Sequence, residues 1–213
     1  MKVTPIEHGL DYYGKSSGPR STERLHMSQI YGSLFQDMYP DRFVKDRPMN
    51  PGHLELGLAW ENMLEDGIKE RLRQGQGADR PGEFVTEEGI VFSPDLLLFN
   101  GVTRLGEIKL TWVSSKEMPR TAGESFPSHP TVQKWLCQMM AYAYHLDTPY
   151  ARLYAFHVNG EYAWMRKGGN KDTPGGPQLF AYDIEFSKRE LHDNWQMLLG
   201  HAKSSGLLTQ YGL

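Results

Sequence analysis

The chain has 213 residues, 39% of them hydrophobic, and a formal net charge of −3. That length supports one substantial core and is short for two domains. The acidic balance excludes a bulk polyanion binder, so a nucleic-acid role would need local basic groups or metal ions that bridge phosphates. The single cysteine, Cys137, excludes an intrachain disulfide framework and all-cysteine zinc or iron–sulfur sites, and fits a reducing, cytosol-like compartment. The opening MKVTPIEHGLDYYG is too polar for a signal peptide, and no apolar run reaches 18 residues. A soluble, cytoplasmic protein with no membrane segment is expected.

Residues 1–20 carry Pro5, Gly9, Gly14, Gly18 and Pro19 and read as an irregular arm. Residues 21–52 read as an N-terminal helix and a loop. Ser21 is a cap for a helix toward Tyr39, stopped by Pro40, with Leu25, Ile30, Leu34 and Phe35 on its apolar side. Arg20, Arg24 and His26 cluster near its start and read as a solvated helix end. A second helix runs from about His53 to Arg73 on the stripe Leu54, Leu58, Ile68, Leu72. Glu61 falls on that stripe, one turn after Gly57, where a solvated glutamate does not belong. Functional and structural roles weigh equally for it. Gln74–Arg80, QGQGADR, is a linker without the GxxxxGK[ST] order of a phosphate loop. Phe84-Val85 is a short strand.

The chain is organised around Gly89–Trp112, which reads as a hairpin turning at Asn100-Gly101. Asp95 lies in its first strand; Glu107 and Lys109 flank Ile108 in the second. Residues two apart on a strand share a face, so Glu107 and Lys109 lie together and Ile108 points the other way, into the core. An acid and an ammonium on a half-buried strand are costly unless they hold each other, a metal or a substrate. A two-residue turn pairs Phe99 with Val102 and sends Asp95 and Glu107 to opposite faces. Pairing Phe99 with Thr103 places Asp95 opposite Glu107 on one face, and this odd-length register is the one expected.

Val113–Pro130 is a polar loop in which Ser114, Ser115, Lys116 and Arg120 are either phosphate contacts or plain surface. Thr131 caps a helix to about Leu146, with Lys134, Gln138 and Tyr142 spaced four apart on one stripe. Trp135, Leu136, Met139, Met140 and Ala143 make its core side. Lys134 is the better phosphate contact of these cations. Tyr150–Val158 is a strand, Asn159-Gly160 a hairpin signal and Glu161–Arg166 the returning strand. After the loop 167–177, Gln178–Phe186 is a strand. Ser187 to Glu190 form a capping box that opens a last helix to about Ser204. His129, His157 and His201 have no metal-ligand spacing. The element order is α, α, β-β, α, β-β-β, α: a mixed α/β domain with a central sheet.

Two carboxylates brought together suit a hard cation such as Mg²⁺ or Mn²⁺. Lys109 beside them would stabilise negative charge on a phosphate, with Glu61 as a third acid and Gln138 and Tyr142 as a hydrogen-bonding rim. No nucleophilic side chain is present and none is required where water attacks a phosphodiester.

SPD followed by eleven residues and E-I-K resembles the PD-(D/E)XK nuclease superfamily. G-L-A-W-E resembles that superfamily's first conserved helix, and Q-M-M-A-Y resembles the QxxxY motif of its RecB and lambda-exonuclease branch. The matched order spans Gly57 to Tyr142. The resemblance implies a restriction-endonuclease-like αβββαβ core over residues 53–205, with the extra N-terminal helix outside it, all in a single nuclease domain. It implies a Mg²⁺- or Mn²⁺-dependent DNA exonuclease of recombination, repair or replication, of phage or mobile-element type, working in a host cytoplasm. It also implies metal ligation by Asp95, Glu107 and the Ile108 carbonyl, Glu61 as an accessory acid and further ligand, catalysis by Lys109, and active-site helix roles for Gln138 and Tyr142. These two, with Lys134, Ser114 and Lys116, read from the residues themselves, make up the expected substrate contacts. The partners it implies are DNA, a single-strand annealing protein or helicase, and further copies of the chain. The four-cysteine iron–sulfur cluster of some relatives is excluded by the lone Cys137. A junction-resolvase-like endonuclease and a non-catalytic nucleic-acid-binding module of the same fold are the alternatives.

Overall fold

The computed structural model describes residues 23–43, 77–161 and 176–213, with isolated helical positions at Leu56, Gly57, Ala59, Trp60, Asn62, Met63 and Gly67. The elements are α1 (Met27–Met38), β1 (Gly77–Asp79), β2 (Phe84–Val85), β3 (Val91–Phe92), β4 (Leu96–Asn100) and β5 (Val102–Thr111). They continue with α2 (Pro130–His145), β6 (Tyr150–His157), β7 (Gln178–Glu185), α3 (Lys188–Ser204) and α4 (Leu207–Gln210). Five strands form one sheet in the order β1-β4-β5-β6-β7, and β2 pairs with β3 in a separate ribbon. Among the described strands only β5 and β6 run parallel, joined by the crossover through α2; the other strand ladders are antiparallel. The expected mixed α/β architecture with a central sheet and flanking helices is therefore what the chain adopts.

Several boundaries differ from the sequence reading. The first helix begins at Met27 rather than beside Ser21. Leu25 and His26 are extended and tied to β3, with Leu25 C=O accepting from Val91 N–H at 2.8 Å. Gln29 Oε1 then accepts the His26 N–H at 2.7 Å and closes the helix start. The expected linker contains an edge strand, β1, since Gly77 pairs directly opposite Phe99. The first strand of the central hairpin is divided. Val91–Phe92 pairs with β2, the chain breaks at Ser93–Asp95, and β4 starts at Leu96. Pro94 has no N–H to give to a ladder at that break.

His129, not Thr131, caps α2. Its Nδ1 accepts from Thr131 N–H at 3.2 Å, and Pro130 takes the first helical position. Beside β6 stands β7; of the expected returning strand Glu161–Arg166, all but Glu161 lies outside the described residues. The Ser187 capping box is present, with Ser187 N–H donating to Glu190 Oε2 at 2.8 Å. The expected arm 1–20 and all but seven positions of the expected helix from His53 to Arg73 lie outside the described residues.

The hairpin register is the odd one. Phe99 pairs with Thr103 and Leu96 with Gly106, so Asp95 continues the series opposite Glu107. Gly101 makes this turn at φ +73°, in the left-handed region where glycine is favoured. Gly106 lets the strands close up, because a Cβ there would stand 2.9 Å from Leu96 Cβ. The main core lies on the Glu107 face of the sheet. It joins Leu105, Leu153, Ala151 and Ala155 to α1, α2 and α3. On the opposite face Ile108 packs with Leu96 and Leu98 in a smaller cluster, covered in part by Trp60, Ala78 and Tyr154. Ile108 is buried as expected, but in the lesser of the two cores.

Candidate active site

Asp95, Glu107 and Lys109 come together where β4 begins and β5 runs through the sheet centre. Asp95 Oδ2 accepts the backbone N–H of Ile108 at 2.7 Å, which locks the break before β4 onto β5. Glu107 is fully buried on the main-core face. Its Oε1 accepts from the Lys109 ammonium and from Gln138 Nε2, the latter at 2.6 Å. The Lys109 side chain keeps 21% of its surface exposed, so the cluster is not sealed on the lysine's side.

The electrostatics follow from that placement. Burial raises the Asp95 pKa, opposed by Lys109 and the Ile108 N–H, and the Asp95 carboxyl also lies at hydrogen-bonding range of Glu107. Burial alone would lower the Lys109 pKa, but the Glu107 and Asp95 carboxylates outweigh it and the net shift is upward. Lys109 is therefore a fixed cation at neutral pH rather than a base.

The helix stripe Lys134–Gln138–Tyr142 does not face solvent. Gln138 and Tyr142 are 7% and 4% exposed and point inward from α2, because that helix is packed on several sides. Burial pushes the Tyr142 hydroxyl well above its ordinary pKa, with Tyr31, Glu107 and Asp95 adding to the shift. Tyr31, on α1, hydrogen-bonds Tyr142. The sequence reading passed over this residue. The available signal was its place one turn after Met27 and one turn before Leu34 and Phe35, on the buried side of α1. Lys134 Nζ stands 5.6 Å from the Tyr31 ring centroid and 4.9 Å from that of Phe43. Burial and then the Lys109 ammonium lower its pKa. Lys134 thus stands within the field of Lys109, among aromatic rings.

The other candidates stand apart. Ser114 Oγ accepts the Lys116 N–H at 3.3 Å in a local turn, and Lys116 is exposed. Neither bonds to Asp95, Glu107 or Lys109 among the described residues. Ser115, buried between them, donates to Gln178 at 2.5 Å and anchors the loop. Arg120 lies 4.5 Å over the Phe180 ring and pairs with Glu161 at 2.8 Å. Two of the histidines bond within the fold: His157 Nδ1 meets the Val113 carbonyl at 2.8 Å, and His201 Nε2 meets Ser33 at 3.1 Å. Glu61 lies outside the described residues.

The donor set can be tested for a metal. Among the described residues no three His, Cys, Asp or Glu side chains form a metal-binding group. Asp95 and Glu107 do supply a pair of hard oxygen donors. The Lys109 ammonium offsets part of their charge, and the pair of neighbouring oxygen donors is of the kind a hard divalent ion takes.

No family model and no curated protein matches the chain. Among solved structures it is similar to the protein described as SSO0001, with a TM-score of 0.46 and 12% identity over 86% of this chain and 78% of that one. It is similar also to LHK-Exo, an alkaline exonuclease from Laribacter hongkongensis, with a TM-score of 0.44 and 16% identity over 86% and 89% of the two chains. The same exonuclease in complex with dAMP gives a TM-score of 0.45 and 15% identity over the same shares.

Proposed function

We propose that the chain is a metal-dependent deoxyribonuclease that hydrolyses phosphodiester bonds with water as the nucleophile, and that it acts as an exonuclease. The observation that carries this reading is the meeting of Asp95, Glu107 and Lys109, with Gln138 bonded to the same Glu107 oxygen as Lys109. Asp95, Glu107 and the Ile108 carbonyl would hold Mg²⁺ or Mn²⁺, with Glu61 as a further acid. When bound, such an ion lowers the pKa of water and draws charge from phosphate oxygens.

The chain's own groups have distinct tasks. Gln138 holds the Glu107 carboxylate in one orientation, and Tyr142 with Tyr31 closes the wall behind it. Lys109, kept charged by its two acids, stabilises the negative charge that grows on phosphorus-bound oxygens. Lys134, half-buried and pressed by a like charge, gains by meeting a phosphate at the mouth. Ser114 and Lys116, past the end of β5, would contact the backbone of a longer substrate. Fixed groups of this kind act mainly by position, because they need no reorganisation as charge develops.

The test is incubation with linear duplex, linear single-stranded and closed circular DNA, with Mg²⁺, Mn²⁺ or EDTA. The reading expects linear DNA to be degraded with either metal, circles to survive, and EDTA to stop the reaction. Cleaved circles would favour the endonuclease alternative. Lys109→Ala cleaving as well as wild type would overturn the mechanism.

A further inference from the structure

Seven residues beyond Gln138 on α2, a cavity of about 710 Å³ opens between the β2–β3 ribbon and the first turns of α3. That volume is in the range of small-ligand sites. None of the functional roles above uses it. Its walls are rings: Phe84 and Phe92 from the ribbon, Tyr144 and His145 from α2, His192 and Trp195 from α3. These rings continue the site. The Phe92 centroid is 5.3 Å from Tyr142 on one side and 5.6 Å from His145 on the other. His145 in turn meets Trp195 edge-on at 4.3 Å.

The polar complement is specific. Glu87, Glu88 and Asp147 bring carboxylates to the lining, and Lys188, the first residue of α3, brings an ammonium. Just beneath the wall, Glu88 Oε2 and His145 Nε2 are buried without a hydrogen-bond partner among the described residues. Flat aromatic walls suit a flat ring. Carboxylates accept from exocyclic amines such as cytosine N4, and a cation at a helix start suits a phosphate. From Gln138 to His145 the helix rises about 10 Å, or about three nucleotides at the rise of a stacked strand.

We propose that the cavity walled by Phe84, Phe92, Tyr144, His145 and His192 receives one unstacked nucleobase of the bound strand, about three nucleotides from the Asp95–Glu107 pair. Its position along a strand rests on the nuclease reading; its affinity for a base does not. Binding is therefore measured first without cleavage, by calorimetry in EDTA, with dCMP, dTMP and a six-nucleotide single strand. Saturable binding of dCMP is expected, with dTMP weaker for want of an exocyclic amine and the hexamer tighter than either. His192→Ala, at an exposed position, should weaken dCMP about tenfold, as the loss of one stacking surface does. Lys188→Ala should weaken dCMP while leaving free cytidine unchanged. Asp95→Asn should leave the dCMP and dTMP constants as they are.

Absence of saturable binding would overturn the proposal. So would dCMP binding that is lost in Asp95→Asn and kept in His192→Ala, or a hexamer that binds no tighter than dCMP. In cleavage assays, an abasic residue is placed at each of the first five positions from the cut. KM should rise at one or two positions with kcat unchanged, and His192→Ala should erase the contrast; a uniform response would refute the assignment. Base binding as described, in a protein that cleaves no DNA, would sink the nuclease reading and leave the base pocket standing without its place along a cleaved strand.

Discussion

Two acid–base clusters sit on opposite faces of the same sheet, and their residue types are nearly the same. On one face Glu107 is fully buried and bonded to Lys109 and Gln138. On the other, Asp183 takes two bonds from Arg152, at 2.6 and 2.8 Å, with Arg104 nearby at 3.8 Å. The Arg152 pair has the better ion-pair geometry, since a guanidinium matches a carboxylate with two parallel bonds. Yet the Asp183 side chain is 55% exposed, and water competes for every one of those contacts. The poorer pair is the candidate site because its carboxylate is fully buried and has a second acid, Asp95, beside it. An ion pair becomes a candidate site through burial and crowding, not through its own strength.

Cleavage should separate the two clusters most widely. Asp95→Asn and Lys109→Ala are each expected to lower kcat by about a thousandfold, the scale for losing a preorganised charge at a reacting centre. Arg152→Ala should leave kcat within about twofold. Single-turnover rates on a linear duplex decide this, with circular dichroism confirming that each variant is folded. An Arg152→Ala rate as low as that of Lys109→Ala would erase the distinction drawn here.

Stability should separate them next. Lys109→Ala leaves Glu107 buried without its cation, a change that costs about 3–5 kcal/mol. Replacing both groups, in Glu107→Gln with Lys109→Ala, removes the uncompensated charge and should recover more than half of that loss. Urea denaturation in EDTA at neutral pH measures both. A loss below about 1 kcal/mol in the single variant would mean that Glu107 finds water in solution. A smaller effect comes from Gln138→Ala, where one hydrogen bond to a charged group is removed, worth about 1.5–3 kcal/mol.

The sequence made the inner cluster readable for a physical reason. Period-two alternation placed Glu107 and Lys109 on one face. The spacing from Asp95 left a single register that could bring the acids together, and the structure has that register. Gln138 and Tyr142 were legible as a stripe, although periodicity could not say that the stripe faces inward, because α2 is buried on more than one side. Tyr31 was not legible: its role depends on how α1 docks against α2, a contact of 111 positions' separation from Tyr142 that no local pattern encodes. The edge strand β1 was hidden for a similar reason. Gly77–Asp79 has no strand propensity and is extended because β4 offers a free edge. The break at Ser93–Asp95 was missed although Pro94 announces it, since the apolar run on both sides reads as continuous.

The weakest effect belongs to the outer cluster, and its sign with pH is fixed. The bond from Arg152 lowers the Asp183 pKa from its usual value near 3.8, with burial opposing and the Arg152 and Arg104 charges assisting. A carboxyl whose folded pKa is depressed stabilises the fold above the unfolded pKa and loses that contribution as pH falls through the folded value. Arg152→Ala should therefore lower stability at pH 7 by about 1 kcal/mol or less, the discounted worth of an exposed pair. The gap to wild type should hold down to about pH 4 and close below it, as Asp183 takes up its proton in both proteins. Adding 1 M salt at pH 7 should shrink the same gap, because exposed charges are screened over about 3 Å at that ionic strength. Denaturation curves at pH 7, 4 and 3, with and without salt, resolve both trends. A gap that is unchanged at pH 3 and in 1 M salt would show that Arg152 acts through its bond to Tyr154 rather than through its pairing with Asp183.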